Sequence, residues 1–239
     1  MTKSKSLQVN KTDLIASIAK STVGVVPFAG TLLSELVGTI IPNQRIDRLT
    51  KYVQELDNRL SKIQSEKINN LISNEEFVDL IEEGFVQASR AISDERRSYI
   101  VSIVTNGITN ELISLNESKY LLKILEELND IEIIWLRFYL DSIKGGDEEY
   151  REKHKNILTP VISYLGSDKE TINKASIQKS YKEHLERLQL IKSKINFDVK
   201  TGLPVFDKST GKPITSYRMI TNLGELLLEQ IGILNDEIK

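Results

Sequence analysis

From Asn43 onward the apolar residues fall in steps of three and four: Ile46, Leu49, Val53, Leu56, Leu60 and Ile63. At 3.6 residues per turn this spacing lines one face of an α-helix, and it does not fit the period of two of a half-buried strand. The seam runs for about three heptads before Lys67 and Asn70 interrupt it. That length suits a helix packed in a bundle as well as a short coiled coil.

The helical pattern continues along the chain. Ser73 with Glu76 predicts a capping box opening a helix whose inner face carries Phe77, Leu80, Ile81, Phe85 and Ala88. A further helix is expected from Asp94, with Tyr99, Ile100, Ile103 and Val104 inward and Gly107 as its stop. Residues 110–128 and 130–144 predict two more. The second holds Ile131 to Leu140, apolar on most sides, and is closed by Gly145 and Gly146. Residues 147–165 read as helical, with Pro160 as a kink or a new start and Gly166 at the end. No internal repeat, low-complexity tract or long linker is expected. With 40% hydrophobic residues, 6% aromatics and five prolines, the composition favours helices over a β-sandwich.

Ahead of this lies the most apolar stretch, residues 12–41. Pro27 should divide it into two short helices and Pro42 should end the second. Residues 22–41 carry one charge, Glu35, and are long enough to cross a bilayer if continuous. Pro27, Glu35 and three glycines argue for a helical hairpin buried in the bundle instead. The alternative is a conditionally exposed segment for self-association or membrane engagement. Its candidate residues are Gly24, Pro27, Phe28, Gly30, Leu33 and Gly38, the glycines allowing close helix approach. Such a stored hairpin is similar in architecture to small helical toxins and cell-death effectors. The first residues do not read as a secretory signal, because Asp13 and Lys20 interrupt the apolar run.

The pattern changes in the last third. A helix from about Ser176 to Gln189 runs into Leu190–Phe197, which can start as helix and finish as strand, then a polar, turn-rich segment to Pro213. A second strand-like run, Ile214–Thr221, leads into a helix from Asn222 to Ile231. Leu185-Glu-Arg-Leu-Gln-Leu-Ile191 resembles the L-x-x-L-Gly-L-I end of the third helix in the winged helix-turn-helix superfamily. Met219-Ile-Thr-Asn-Leu-Gly-Glu225 is similar to that superfamily's L-T-x-x-G start of a terminal helix. Gln189 departs from the pattern where glycine is common. The resemblance implies a winged helix over about residues 131–233. It says little about ligand, since such modules bind protein as well as DNA.

The fold expected is therefore mainly α: an N-terminal multi-helix bundle, residues 1–129, followed by a C-terminal winged helix, residues 130–239, with a small β-hairpin wing. The net charge of −2 excludes a general polycation, yet between Lys169 and Arg218 eleven Lys and Arg face five Asp and Glu. Candidate nucleic-acid or partner contacts are Lys179, Lys182 and Arg187 on the third helix, Lys192 and Lys194 beyond it, and Lys200, Lys208 and Lys212 on the wing. Glu183 and Glu186 on the same helix would repel phosphate.

Catalytic patterns are not expected. The chain has no cysteine, which removes disulfides and thiolate chemistry and is compatible with a reducing cytoplasm. His154 and His184 lack a ligand at metal spacing and read as surface histidines. Gly145-Gly-Asp-Glu-Glu-Tyr150 superficially matches a diguanylate cyclase signature, but it follows a helix and reads as an acidic N-terminal turn. Gly211-Lys212 lacks the upstream glycine of a P-loop, Phe206 standing there. No cofactor or metal is expected. The sequence reads as a non-enzymatic regulatory or effector protein of bacterial type, from a defence or mobile-element setting, with a protein partner, nucleic acid, membrane or a second copy as candidate partners. A DNA-binding regulator with a dimerisation bundle, and a helical scaffold subunit, are the competing readings.

Overall fold

A computed structural model describes residues 46–60, 62, 71, 74–109, 113–142, 146–208 and 211–234. The apolar stretch with Gly24, Pro27, Phe28, Gly30, Leu33 and Gly38 lies outside the described residues. Those residues are mainly helical, with one two-stranded antiparallel sheet. Among them no helix is long and apolar enough to cross a membrane.

Contacts divide the chain into two compact units, Met1–Glu126 with Gln230–Gly232, and Glu127–Glu229 with Ile233–Lys239. In the first unit, α1 (Ile46–Leu60), α2 (Glu75–Arg90), α3 (Asp94–Thr109) and α4 (Leu115–Glu127) follow one another. The seam residues Leu49, Val53, Leu56 and Leu60 are buried on α1, as are Phe77, Leu80, Ile81, Phe85 and Ala88 on α2. The cap of α2 is Asn74 rather than Ser73. Its side chain accepts from the amides of Glu76 (2.8 Å) and Phe77 (3.3 Å), because the helix begins one residue later than the box predicts.

Gly107 does not stop α3, which runs on to Thr109. A Cβ there would stand 2.5 Å from the Ser118 hydroxyl and 3.0 Å from a Leu80 methyl. The glycine serves close packing, which one-dimensional periodicity cannot distinguish from a C-cap. Tyr52 of α1 packs edge-on against Phe85, ring centroids 5.3 Å apart. Burial, with Glu55 nearby, pushes its hydroxyl ionisation far upward.

In the second unit, α5 (Asp130–Leu140) begins with a complete capping box, Asn129 with Glu132. It ends at Leu140, before the two glycines expected to close it. Asp147, from the acidic Gly-Gly-Asp-Glu-Glu run, caps α6 (Glu148–Lys153) and pairs with the buried Arg137 at 2.6 Å. Helix α7 (Lys155–Leu158) stops before Pro160, and residues 159–165, expected to be helical, are not. The proline cannot donate its missing N–H, and the residue before it adopts an extended backbone.

Helix α8 spans Lys169–Arg187, capped by Asp168, and starts seven residues before its expected beginning. It leads to β1 (Ile191–Ile195), which pairs with β2 (Thr215–Ile220), Ile191 opposite Ile220 and Lys192 opposite Met219. Helix α9 (Asn222–Gln230) follows at once.

Candidate functional site

The two segments that carry the family resemblance meet in space. At the end of α8 Gln189 adopts φ +59°, the left-handed region that a glycine would enter without a Cβ penalty. The helix thus makes the sharp exit despite the substituted residue. Thr221 then ties the start of α9 to this exit. Its hydroxyl donates to the carbonyl of Gln189 (2.7 Å), and its amide donates to that of Leu190 (3.0 Å). Gly224 is required by the same approach, since a Cβ would lie 2.3 Å from the Leu190 carbonyl oxygen. Gln189→Gly is expected to stabilise the unit by roughly 0.5–1 kcal/mol, the strain relieved less the added chain entropy. The midpoint of urea unfolding, read by the single tryptophan, Trp135, checks this; a lower midpoint would contradict it.

Glu186 joins α8 to the sheet, accepting from the Ser193 amide at 3.0 Å and facing Arg218 at 3.5 Å. It is therefore occupied structurally, not displayed as a repulsive charge. Other charges on α8 are also engaged. Lys179 faces Glu183 at 3.6 Å, and Lys182 lies 4.2 Å above the Trp135 ring. Burial, with Arg218 nearby, pushes the Lys182 ammonium pKa down, and this residue is half-buried. It packs inward, a position its sequence spacing did not indicate. His184 is likewise no surface histidine: its Nδ1 lies 2.6 Å from Oε1 of the buried Glu132, with Glu127 at 3.9 Å from Nε2. Tyr139, buried beside Arg218 and Glu186, has its hydroxyl pKa pushed up to about 12, mainly by burial.

Arg187, Lys192, Lys194, Lys200, Lys208 and Lys212 are exposed, the last three on the long arm between β1 and β2. Lys194 reaches over the Tyr217 ring at 5.4 Å. The sequence places few acids among them, Asp198 and Asp207 being those between Lys192 and Arg218.

The arm carries an internal repeat, contrary to the expectation of none. Phe197-Asp-x-x-Thr-Gly-x-Pro204 is followed at a spacing of nine by Phe206-Asp-x-x-Thr-Gly-x-Pro213. Each copy forms its own small lobe. In the first, Phe197 bridges Pro204, the Asp198 amide donates to the Leu203 carbonyl (2.9 Å), and Gly202 turns at φ +68°. In the second, Phe206 bridges Pro213, the Asp207 amide donates to the Lys212 carbonyl (2.8 Å), and Gly211 turns at φ +65°.

Backbone hydrogen bonds join the lobes at their base in a closed triangle: Val205 N–H to the Asn196 carbonyl (2.9 Å), Ile214 N–H to Val205 (2.8 Å), Asn196 N–H to Ile214 (2.8 Å). The Asp198 carboxylate accepts from the amides of Lys200 and Thr201 and from the Thr201 hydroxyl. These bonds hold its carboxyl below the ordinary range.

Phe197, Phe206, Leu203 and Val199 are exposed on the lobes. Their residue types alone gave no signal; the nine-residue repeat would have. Of sixteen large hydrophobic side chains exposed among the described residues, fourteen lie between Glu127 and Glu229, so among those residues most uncovered apolar side chains belong to the second unit. Compared with protein-family models, with curated proteins and with solved structures, the chain matches none.

Proposed function

We propose that this chain is a non-enzymatic regulatory or effector protein that acts by docking, and that its second unit is a winged helix with the two-lobed arm as its wing. The order of four helices (two of them, α6 and α7, short), strand, arm, strand and helix supports that reading. The carrying observation is the exposed apolar and basic surface of the arm. Soluble domains rarely leave clustered large apolar side chains in water without a binding use. The basic side chains of α8 are partly engaged internally, so the reading puts the contact on the arm and on Arg187, Lys192 and Lys194 rather than on a recognition helix. Self-association or membrane engagement through residues 22–41 belongs to the same proposal.

Site-specific photo-crosslinking tests it. p-Benzoylphenylalanine in place of Phe197 or Phe206 should yield adducts in cells expressing the protein, whereas the same group in place of Tyr120, exposed on the first unit, should not. Equal labelling at all three positions, or none at any, would overturn the docking role of the arm.

A further inference from the structure

We infer that the two lobes of the arm are equivalent stations for single-stranded nucleic acid, each phenylalanine stacking on an unpaired base while the surrounding lysines contact phosphates. This rests on the docking reading of the arm and names its partner.

Three observations carry it. First, the stations are duplicated. The same Phe-Asp-x-x-Thr-Gly-x-Pro segment occurs twice at a spacing of nine and closes twice with the same bridge and backbone hydrogen bonds. Repeated stations suit a ligand built from repeated units.

Second, each station offers an aromatic ring that is more than half exposed, Phe197 at 57% and Phe206 at 53%. A flat apolar ring in water matches a base face, and every base has one. In a duplex those faces are closed by stacking, so rings on short protruding turns favour unpaired bases.

Third, the charge is complementary. Between Lys192 and Arg218 there are six Lys and Arg against two Asp, on a chain whose net charge is −2. The Asp198 carboxylate is turned into its own loop by three donors. A sparse row of lysines beside aromatic rings is the combination that single-strand binders use.

Other occupants fit less well. Pro204 and Pro213 lie at the bridging positions opposite the phenylalanines and have no N–H to offer, so these edges are poorly suited to adding a strand from a partner chain. An anionic membrane would accept the lysines and rings, but it has no use for the duplication.

The test uses the full chain and fluorescence anisotropy with labelled oligo(dT) and oligo(U) of about twenty nucleotides, with a duplex of equal length, and with phosphatidylserine vesicles. Binding to the single strands is expected at about 50 mM salt and should weaken steeply by about 200 mM. Phe197→Ala and Phe206→Ala should each weaken it by about tenfold without changing the salt dependence. Lys200→Gln with Lys208→Gln should instead reduce the salt dependence.

Circular dichroism of each variant should match the parent, because the replaced side chains lie on exposed turns. Absence of single-strand binding at low salt, wild-type affinity in the phenylalanine variants, or preferential binding of duplex or vesicles would overturn the inference. If photo-crosslinks at Phe197 and Phe206 join protein alone, the docking reading stands and this one fails.

Discussion

Glu132→Ala is expected to destabilise the second unit by about 3 kcal/mol, the range for removing one partner of a buried polar pair. Glu132 is buried and serves two elements at once. One carboxylate oxygen accepts from the Asn129 amide at 2.9 Å, completing the cap of α5. The other lies 2.6 Å from Nδ1 of His184 on α8. Alanine removes the acceptor from both: the His184 side chain, 18% exposed, loses its buried partner, and α5 loses half of its capping box. Glu132→Gln retains one neutral acceptor and should cost about half as much. Trp135 is on the same helix, 2% exposed, so its fluorescence reports this unit. With a urea slope of about 1–3 kcal/mol per molar, the midpoint should fall by about 1–3 M. A fall below about 0.3 M would show that the pair adds nothing.

The second large effect lies in the first unit and is a coupling. A Cβ at Gly84 would stand 2.4 Å from the Tyr52 hydroxyl oxygen and 3.0 Å from a Val104 methyl. Gly84→Ala should therefore cost about 2–3 kcal/mol by overpacking, although alanine is the better helix former by about 1 kcal/mol. The Tyr52 hydroxyl is buried without a hydrogen-bond partner among the described residues, so Tyr52→Phe should cost little alone. With the oxygen gone, the nearest Tyr52 ring atom is 3.5 Å from the new methyl, an ordinary contact. The double variant should then recover most of that cost, the 3.0 Å approach to Val104 remaining, giving a coupling energy of about 1–2 kcal/mol in a double-mutant cycle. Thermal unfolding followed by circular dichroism measures it. Additive costs would sink the account.

Both effects turn on pairs far apart in sequence, and this marks what was legible in it. The inner faces of α1 and α2 were readable because periodicity records which side of a helix avoids water. Both strands and the start of α9 were readable from β-branched runs and turn residues. The start of α5 at Asp130 agrees with the pattern, whereas its end, both ends of α8 and the break after α7 do not. Capping depends on one side chain reaching one amide, and several residues in a row can do that. The doubled arm was present in the sequence as a spacing of nine, hidden because five conserved types per copy are diluted by polar residues found in any loop.

The candidate contacts divide along the same line. Local composition and period fix where positive charge accumulates and which helix faces are apolar. Packing across elements puts Lys182 on Trp135, His184 against Glu132 and the Tyr52 hydroxyl against Gly84. The physical reason is that a side chain's environment is set by whatever element packs across from it. A one-dimensional pattern names the face that is covered and leaves open what covers it.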